Sequence, residues 1–222
     1  MIDLLTILQH SDSAFPSGSF AFSNGIEGLA AVNAPLDCRG LQDIVAMFLR
    51  HRWATSDRVA VALTHRANID FDRVAGIDRS VEAATLAEPL RVGSKRNGNA
   101  LLAAHARLAT PGARELRTLI DLGKAHGHLP VVQGCVWRAR GISEEAAVAM
   151  SGYATAAGLI TAAVRLGRIG AVEAQSVLAA TLAMVADLST PVAPTAEVES
   201  FMPWVDAIAS RHARAHLRLF AS

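Results

Sequence analysis

Aromatic side chains are scarce in this sequence. They make up 5% of its 222 residues, with a single tyrosine. No run of alternating β-branched and aromatic residues appears, so nothing argues for a sheet. Cysteine is almost absent. Cys38 and Cys135 stand far apart with no C-x-x-C, which excludes a disulfide framework and fits two reduced, buried thiols in a cytoplasmic protein. Charge is sparse and balanced: 18% charged residues, a net charge of +1 and an isoelectric point of about 7.9. That balance speaks against an electrostatic nucleic-acid or membrane binder. No basic leader precedes the first apolar turn, where Asp3 stands, so no signal peptide is expected.

Catalytic motifs are missing as well. There is no G-x-x-x-x-G-K-[ST] loop, since Gly93-Ser94-Lys95 and Gly123-Lys124 lack the upstream glycine, and no G-x-S-x-G. His212 and His216 lie four apart and would share a helix face, but Ala213 follows the first, so the H-E-x-x-H pattern fails. A metal-dependent hydrolase built on that pair is the alternative reading. His126-Gly127-His128 before Pro130 reads as a turn or cap, and Ser11-Asp12-Ser13 beside His10 as local caps rather than a triad. Arg91, Lys95 and Arg96 read as a solvated helix end, or as a contact for an acidic partner. No catalytic, cofactor or metal residue is assigned.

What the chain does have is apolar mass. Hydrophobic residues make up 51% and mean hydropathy is +0.29, more than a lone globule comfortably hides, so a large apolar interface is expected. Residues 146 to 164 run nineteen positions without a charge, but they are Ala-rich and dotted with Ser, Gly and Thr. They read as a helix packed on several sides rather than a membrane span.

Helix signals recur throughout, and about nine or ten helices in one all-α domain over residues 1–222 are expected. The first covers about Asp3 to His10. Asn24-x-x-Glu27 has capping-box spacing before a short helix that ends near Pro35. Asp37 caps a long helix with a break near Thr55-Ser56. Asp70 to Leu86 follows. Pro89 forbids smooth continuation, so the next helix is expected through Ala100 to Leu108. Further helices are expected at Arg114–Lys124, Pro130–Arg140, from a Ser143 cap to Leu166, at Ala171–Leu188 and at about Val205–Leu217. Residues 1–23 form a motif-bearing N-terminal segment, and 205–222 a last helix and tail.

The opening segment carries the most information. Leu4 to Glu27 reads L-L-T-I-L-Q-H-S-D-S-A-F-P-S-G-S-F-A-F-S-N-G-I-E. Phe15, Phe20 and Phe22 sit on a backbone loosened by Pro16, Gly18 and Gly25. Those rings either turn into the core or dock on another protein. The segment resembles the signature L-L-Q-L-x-D-S-x-x-P-x-G-x-F-x-x-S-x-G-L-E of the urease accessory protein F family, with Leu4, Leu5, Asp12, Ser13, Pro16, Gly18, Phe20, Ser23, Gly25 and Glu27 in place and Ile26 for the usual Leu. His128 to Gly134 is similar to the family's H-x-P-V-x-x-G, and Ala162 to Leu166 with Gly170 to its A-A-V-R-L-x-x-x-G. Asp206, Arg211, His212 and Arg218 to Ser222 resemble its D-I-A-S-M-R-H and S-R-L-F-x-S ending, with Ile208-Ala209-Ser210 shifted by one. Pro89 stands where the family usually keeps a helix.

The resemblance implies an all-helical, homodimeric chaperone component without enzymatic activity. It would join urease accessory protein D (H in some organisms) and the GTPase urease accessory protein G, in a complex that delivers nickel to apo-urease. It also implies a partner surface: Phe15, Pro16, Gly18, Phe20, Ser23, Gly25 and Glu27 at one end, and Arg211, His212, Arg218, Leu219 and Phe220 at the other. The tail from Arg211 to Ser222 would dock on the D protein; the plainer reading is a last core helix with a frayed end.

Overall fold

The computed structural model describes residues 2–12, 14–17 and 22–212. Its helices are α1 (Ile2–Ser11), α2 (Ile26–Ala31), α3 (Cys38–Phe48), α4 (Arg58–Ala67), α5 (Phe71–Ala84), α6 (Glu88–Arg107), α7 (Ala113–Asp121), α8 (Leu129–Ala139), α9 (Glu144–Arg165), α10 (Ala171–Leu188) and α11 (Pro203–His212). A π-helical stretch, Leu49–Asp57, joins α3 to α4. The described residues contain no strand, as expected for an all-α chain.

The break expected near Thr55-Ser56 is instead this wide π turn. Its looser winding leaves carbonyls free to accept bonds from elsewhere. The His51 carbonyl accepts from Phe201 N–H at 3.3 Å and the Thr55 carbonyl from Glu199 N–H at 3.0 Å, so the segment before α11 is laced onto the turn. Just beyond the turn, Arg58 Nη1 donates to the carbonyls of Leu188 (2.8 Å) and Thr190 (2.9 Å), fixing the end of α10.

Pro89 does not delay a helix either. It occupies the first turn of α6, which begins at Glu88. There its missing N–H has no intrahelical partner to lose. Asp37, Asp70 and Ser143 cap α3, α5 and α9 through their side chains, accepting from Gly40, Arg73 and Ala146 N–H. The capping box at Asn24 is not formed. Gly25, at φ +92°, is the residue before α2 and no side chain caps it. Asn24 itself takes a positive φ of 50°, and Glu27 reaches elsewhere.

α4 is buried nearly all round and forms the centre, with α8 and α9 against it. Gly134 lets α8 approach, because a Cβ there would run into Thr64 Oγ1 and the Val61 carbonyl. The link to α9 is polar at both ends. Trp53 Nε1 donates to Ser151 Oγ at 2.8 Å, and Arg66 Nε to Glu144 Oε2 at 2.7 Å. α9 and α10 are each long and apolar enough to cross a membrane. The charge-free stretch in α9 is packed as expected: over half of its most apolar window is buried, against 28% for α10. Both cysteines are free thiols. Burial pushes the Cys135 thiol up to about 12, which makes it unreactive.

Candidate partner surface and its buried supports

Two segments far apart in the sequence, α2 and α11, meet. α11 lies across α2, and His212 Nε2 stands 3.3 Å from Glu27 Oε2, both side chains nearly buried. The approach is close because Gly28 has no side chain; a Cβ there would sit 2.8 Å from Ile208 Cγ2. One turn back, Val205 packs on Gly25. Ala87 and Leu90, from the start of α6, complete the patch against Ala209. Phe22 is buried with its ring over Gly93, so a second element of α6 also seats the signature segment.

The site residues expected from the sequence therefore separate. Ser23, Gly25 and Glu27 are buried inside the chain, where they hold α2 under α11. Pro16 is exposed, Phe15 is half-buried against histidine rings, Arg211 is exposed and His212 is turned toward Glu27. Gly18, Phe20, Arg218, Leu219 and Phe220 lie outside the described residues, as do Ser13 and His216. Asp12 Oδ1 accepts from Ala14 N–H at 2.8 Å, the cap role read from the sequence.

A second cluster supports the H-x-P motif. The turn before α8 presents successive N–H groups that a helix start cannot satisfy internally. No neighbouring residue caps them. Asp78 of α5, fully buried, accepts from His126 (2.6 Å), Gly127 (2.8 Å) and His128 (3.1 Å), and Ser94 Oγ of α6 accepts from Leu129 at 3.2 Å. The carboxylate also suits the positive end of α8. Glu82, one turn beyond Asp78, gathers His128 Nε2 (2.7 Å), Lys95 Nζ (3.1 Å) and Arg91 Nε (3.3 Å).

The bonds assign the His128 tautomer. Nε2 donates to Glu82, so Nδ1, 3.1 Å from Ser94 Oγ, accepts the hydroxyl proton. Burial pushes the imidazole below its ordinary value, and Glu82 and Asp78 pull it back only in part. Burial pushes Glu82 up, but hydrogen bonds from His128 and Lys95 outweigh this and the carboxyl is held lower overall. The result is a neutral imidazole against a carboxylate.

Arg91 and Lys95 are thus not a solvated helix end but the cations of this half-buried hub, while Arg96 is exposed; Arg91 Nη1 also donates to the Thr85 and Leu86 carbonyls at 2.8 Å each. The sequence held one sign of Asp78 that went unread. It falls among Val74, Ile77 and Val81 on the buried face of α5, where an acid has to be partnered.

Between these clusters and α9 runs a cavity of about 610 Å³, bordered by Phe48, Arg52, Asp57, Asn97, Gln133 and Tyr153 among others. Arg52 Nε stands 3.7 Å from Asp57 Oδ2. Burial raises Asp57 and Asp206, and Arg52 opposes the rise in both. Among the described residues no group of three or more His, Cys, Asp or Glu could hold a metal ion. A Ser–His–Asp arrangement does not form around His10 either, because that ring is buried in an aromatic stack.

The sequence model of the UreF family matches residues 37–182. This chain belongs to the UreF family. A urease accessory protein UreF of Yersinia pestis (strain Pestoides F) is 30% identical over 232 aligned positions, covering 99% of this chain and 98% of its own length. Urease accessory protein UreF 1 of Brucella melitensis biotype 1 is 32% identical over 222 positions, covering 98% and 92%. The UreF of Yersinia enterocolitica is 30% identical with 99% and 98% covered. The family match itself stops short of both ends, so α2 and α11 are spanned only by the full-length relatives. Those relatives are named as accessory proteins, not as enzymes.

Proposed function

We propose that this chain is a non-catalytic scaffold of urease maturation, acting in the cytoplasm. It binds accessory protein D (H) and the GTPase G in the complex that delivers nickel to apo-urease. Nickel is the cargo here, not a resident cofactor. The observation that carries this reading is the meeting of the two family motifs, 185 residues apart at Glu27 and His212, on one patch. An enzyme would gather reactive groups in a cleft. This chain instead brings Glu27 of the signature segment against His212 of α11.

The buried residues Ser23, Gly25 and Glu27 set the shape of that patch; Phe15, Pro16 and Arg211 offer the contacts, with the tail carrying Arg218, Leu219 and Phe220. A second copy is the best fit to α10. Val172 (82% exposed) and Leu182 (44%) lie on the side of this apolar helix that the core leaves open. A helix apolar on all sides belongs between two packed surfaces.

The test is co-purification of D and G with the chain ended after His212. The cut must not fall earlier, because Val205 and Ile208 are buried. Loss of the D protein with an unchanged helical spectrum is expected. Retention of both partners together with full urease activation overturns the scaffold surface. A Leu182→Glu variant should run as a monomer in light scattering, and a persistent dimer rejects the α10 interface.

A further inference from the structure

α1 turns Ile2, Leu4, Leu5 and Leu8 outward, each more than half exposed, and its one buried side chain is His10. Beside it only Ile7, partly buried, packs on the core, so His10 is the deepest anchor of the helix. Its ring centroid lies 4.8 Å from that of Phe15 and 5.2 Å from that of His105 of α6, on which it stacks; Phe15 closes the triangle to His105 at 5.5 Å.

The hydrogen bonds leave this stack incomplete. His10 Nδ1 donates to the Thr6 carbonyl at 2.8 Å, so Nε2 carries no proton. That Nε2 is buried without a partner. The same holds for Nε2 of His105, whose Nδ1 is 2.9 Å from Thr110 Oγ1. A bare lone pair is tolerated in such a place; a buried, unpaired imidazolium is not. The charged neighbours do not help. Arg140, at the end of α8, acts against protonation of both rings, and each histidine would repel the other. Asp12, two residues on, is exposed and bonded to Ala14 N–H. Among the described residues neither imidazole forms an ion pair with a carboxylate. Burial pushes both below the ordinary histidine value, His105 to about 4.

We propose that the His10–Phe15–His105 stack is an acid-operated latch, which when neutral holds α1 and Phe15 against α6 and when protonated releases them. The sign follows from linkage. The released histidines titrate near 6.5 and the latched pair lower, so the open form binds more protons in between. Each proton taken up on opening raises the open-to-closed ratio up to about tenfold per pH unit as pH falls from 6.5 towards 4.

Hydrogen exchange of the intact chain tests this, with opening ratios for α1 and α8 obtained after dividing out the intrinsic pH dependence of exchange. Between pH 7.5 and 5, α1 opening should climb steeply below 6.5, and α8, where Glu82 and Asp78 partly offset the burial of His128, should climb less. A His10→Phe/His105→Phe double variant, which keeps two rings and removes both titrations, should be flat. An Arg140→Met variant should level off at a higher pH, because the latched histidines then titrate closer to 6.5. A flat wild-type curve, parallel opening of α1 and α8, a slope retained in the Phe variant or an unshifted Arg140→Met curve would each overturn the latch.

Discussion

Two buried histidine clusters sit on α6 and solve the same problem in opposite ways. In the knot under α8, His128 has both ring nitrogens occupied, by Glu82 and Ser94, and Asp78 satisfies three backbone N–H groups beside it. In the stack under α1, His10 and His105 each leave one nitrogen bare. A complete network is rigid because every member loses a partner if any one moves. An incomplete stack holds only while its members stay uncharged. The knot therefore suits a fixed support for the H-x-P turn, and the stack suits a releasable hold on the N-terminal helix.

The largest effect should come from cutting the knot at its centre. Asp78→Ala strands three N–H groups, two of them buried, and should cost about 4 kcal/mol, or prevent folding, in denaturant titration. His128→Phe comes next, at about 3 kcal/mol, since Glu82 and Ser94 each lose one of their bonds beside a buried ring. His105→Phe at pH 7.5 should change stability by only about 1 kcal/mol, because it gives up one bond to Thr110. If the two phenylalanine variants cost the same, the contrast between the clusters fails.

Acid separates them further. His105 titrates lower in the folded chain than at its ordinary 6.5. Its neutral form therefore contributes fully above 6.5, and that contribution is lost as pH falls towards 4. The free energy of opening α1, measured by amide exchange from pH 7 to 5, should drop by roughly 2 kcal/mol in the wild type, and by less in His105→Phe. The smallest effect belongs to the patch between the clusters. Glu27→Gln should cost about 1 kcal/mol and loosen α11, seen as faster amide exchange at Val205 to Ala209 with α8 unaltered.

Local signals were legible in the sequence where the physics is local. α10 spans the expected Ala171–Leu188, and Asp37 and Ser143 cap where side chain and helix start are neighbours. Expectations failed where the partner is distant. The Asn24–Glu27 box has the right spacing, but Glu27 is claimed by His212. The break near Thr55 became a π turn because residues 199 and 201 take its carbonyls. Arg91 and Lys95 looked solvated because Glu82 is out of helical register with them and meets them only across two helices.

Composition, periodicity and the two end motifs were enough to determine an all-helical member of the UreF family, since propensities and caps act within a few residues and a signature is read in order along the chain. Which histidine is satisfied, which is bare, and whether the two end motifs touch were decided only by the tertiary structure. A buried polar atom is completed or orphaned by whatever element packs on it, and packing brings together residues that no spacing rule connects.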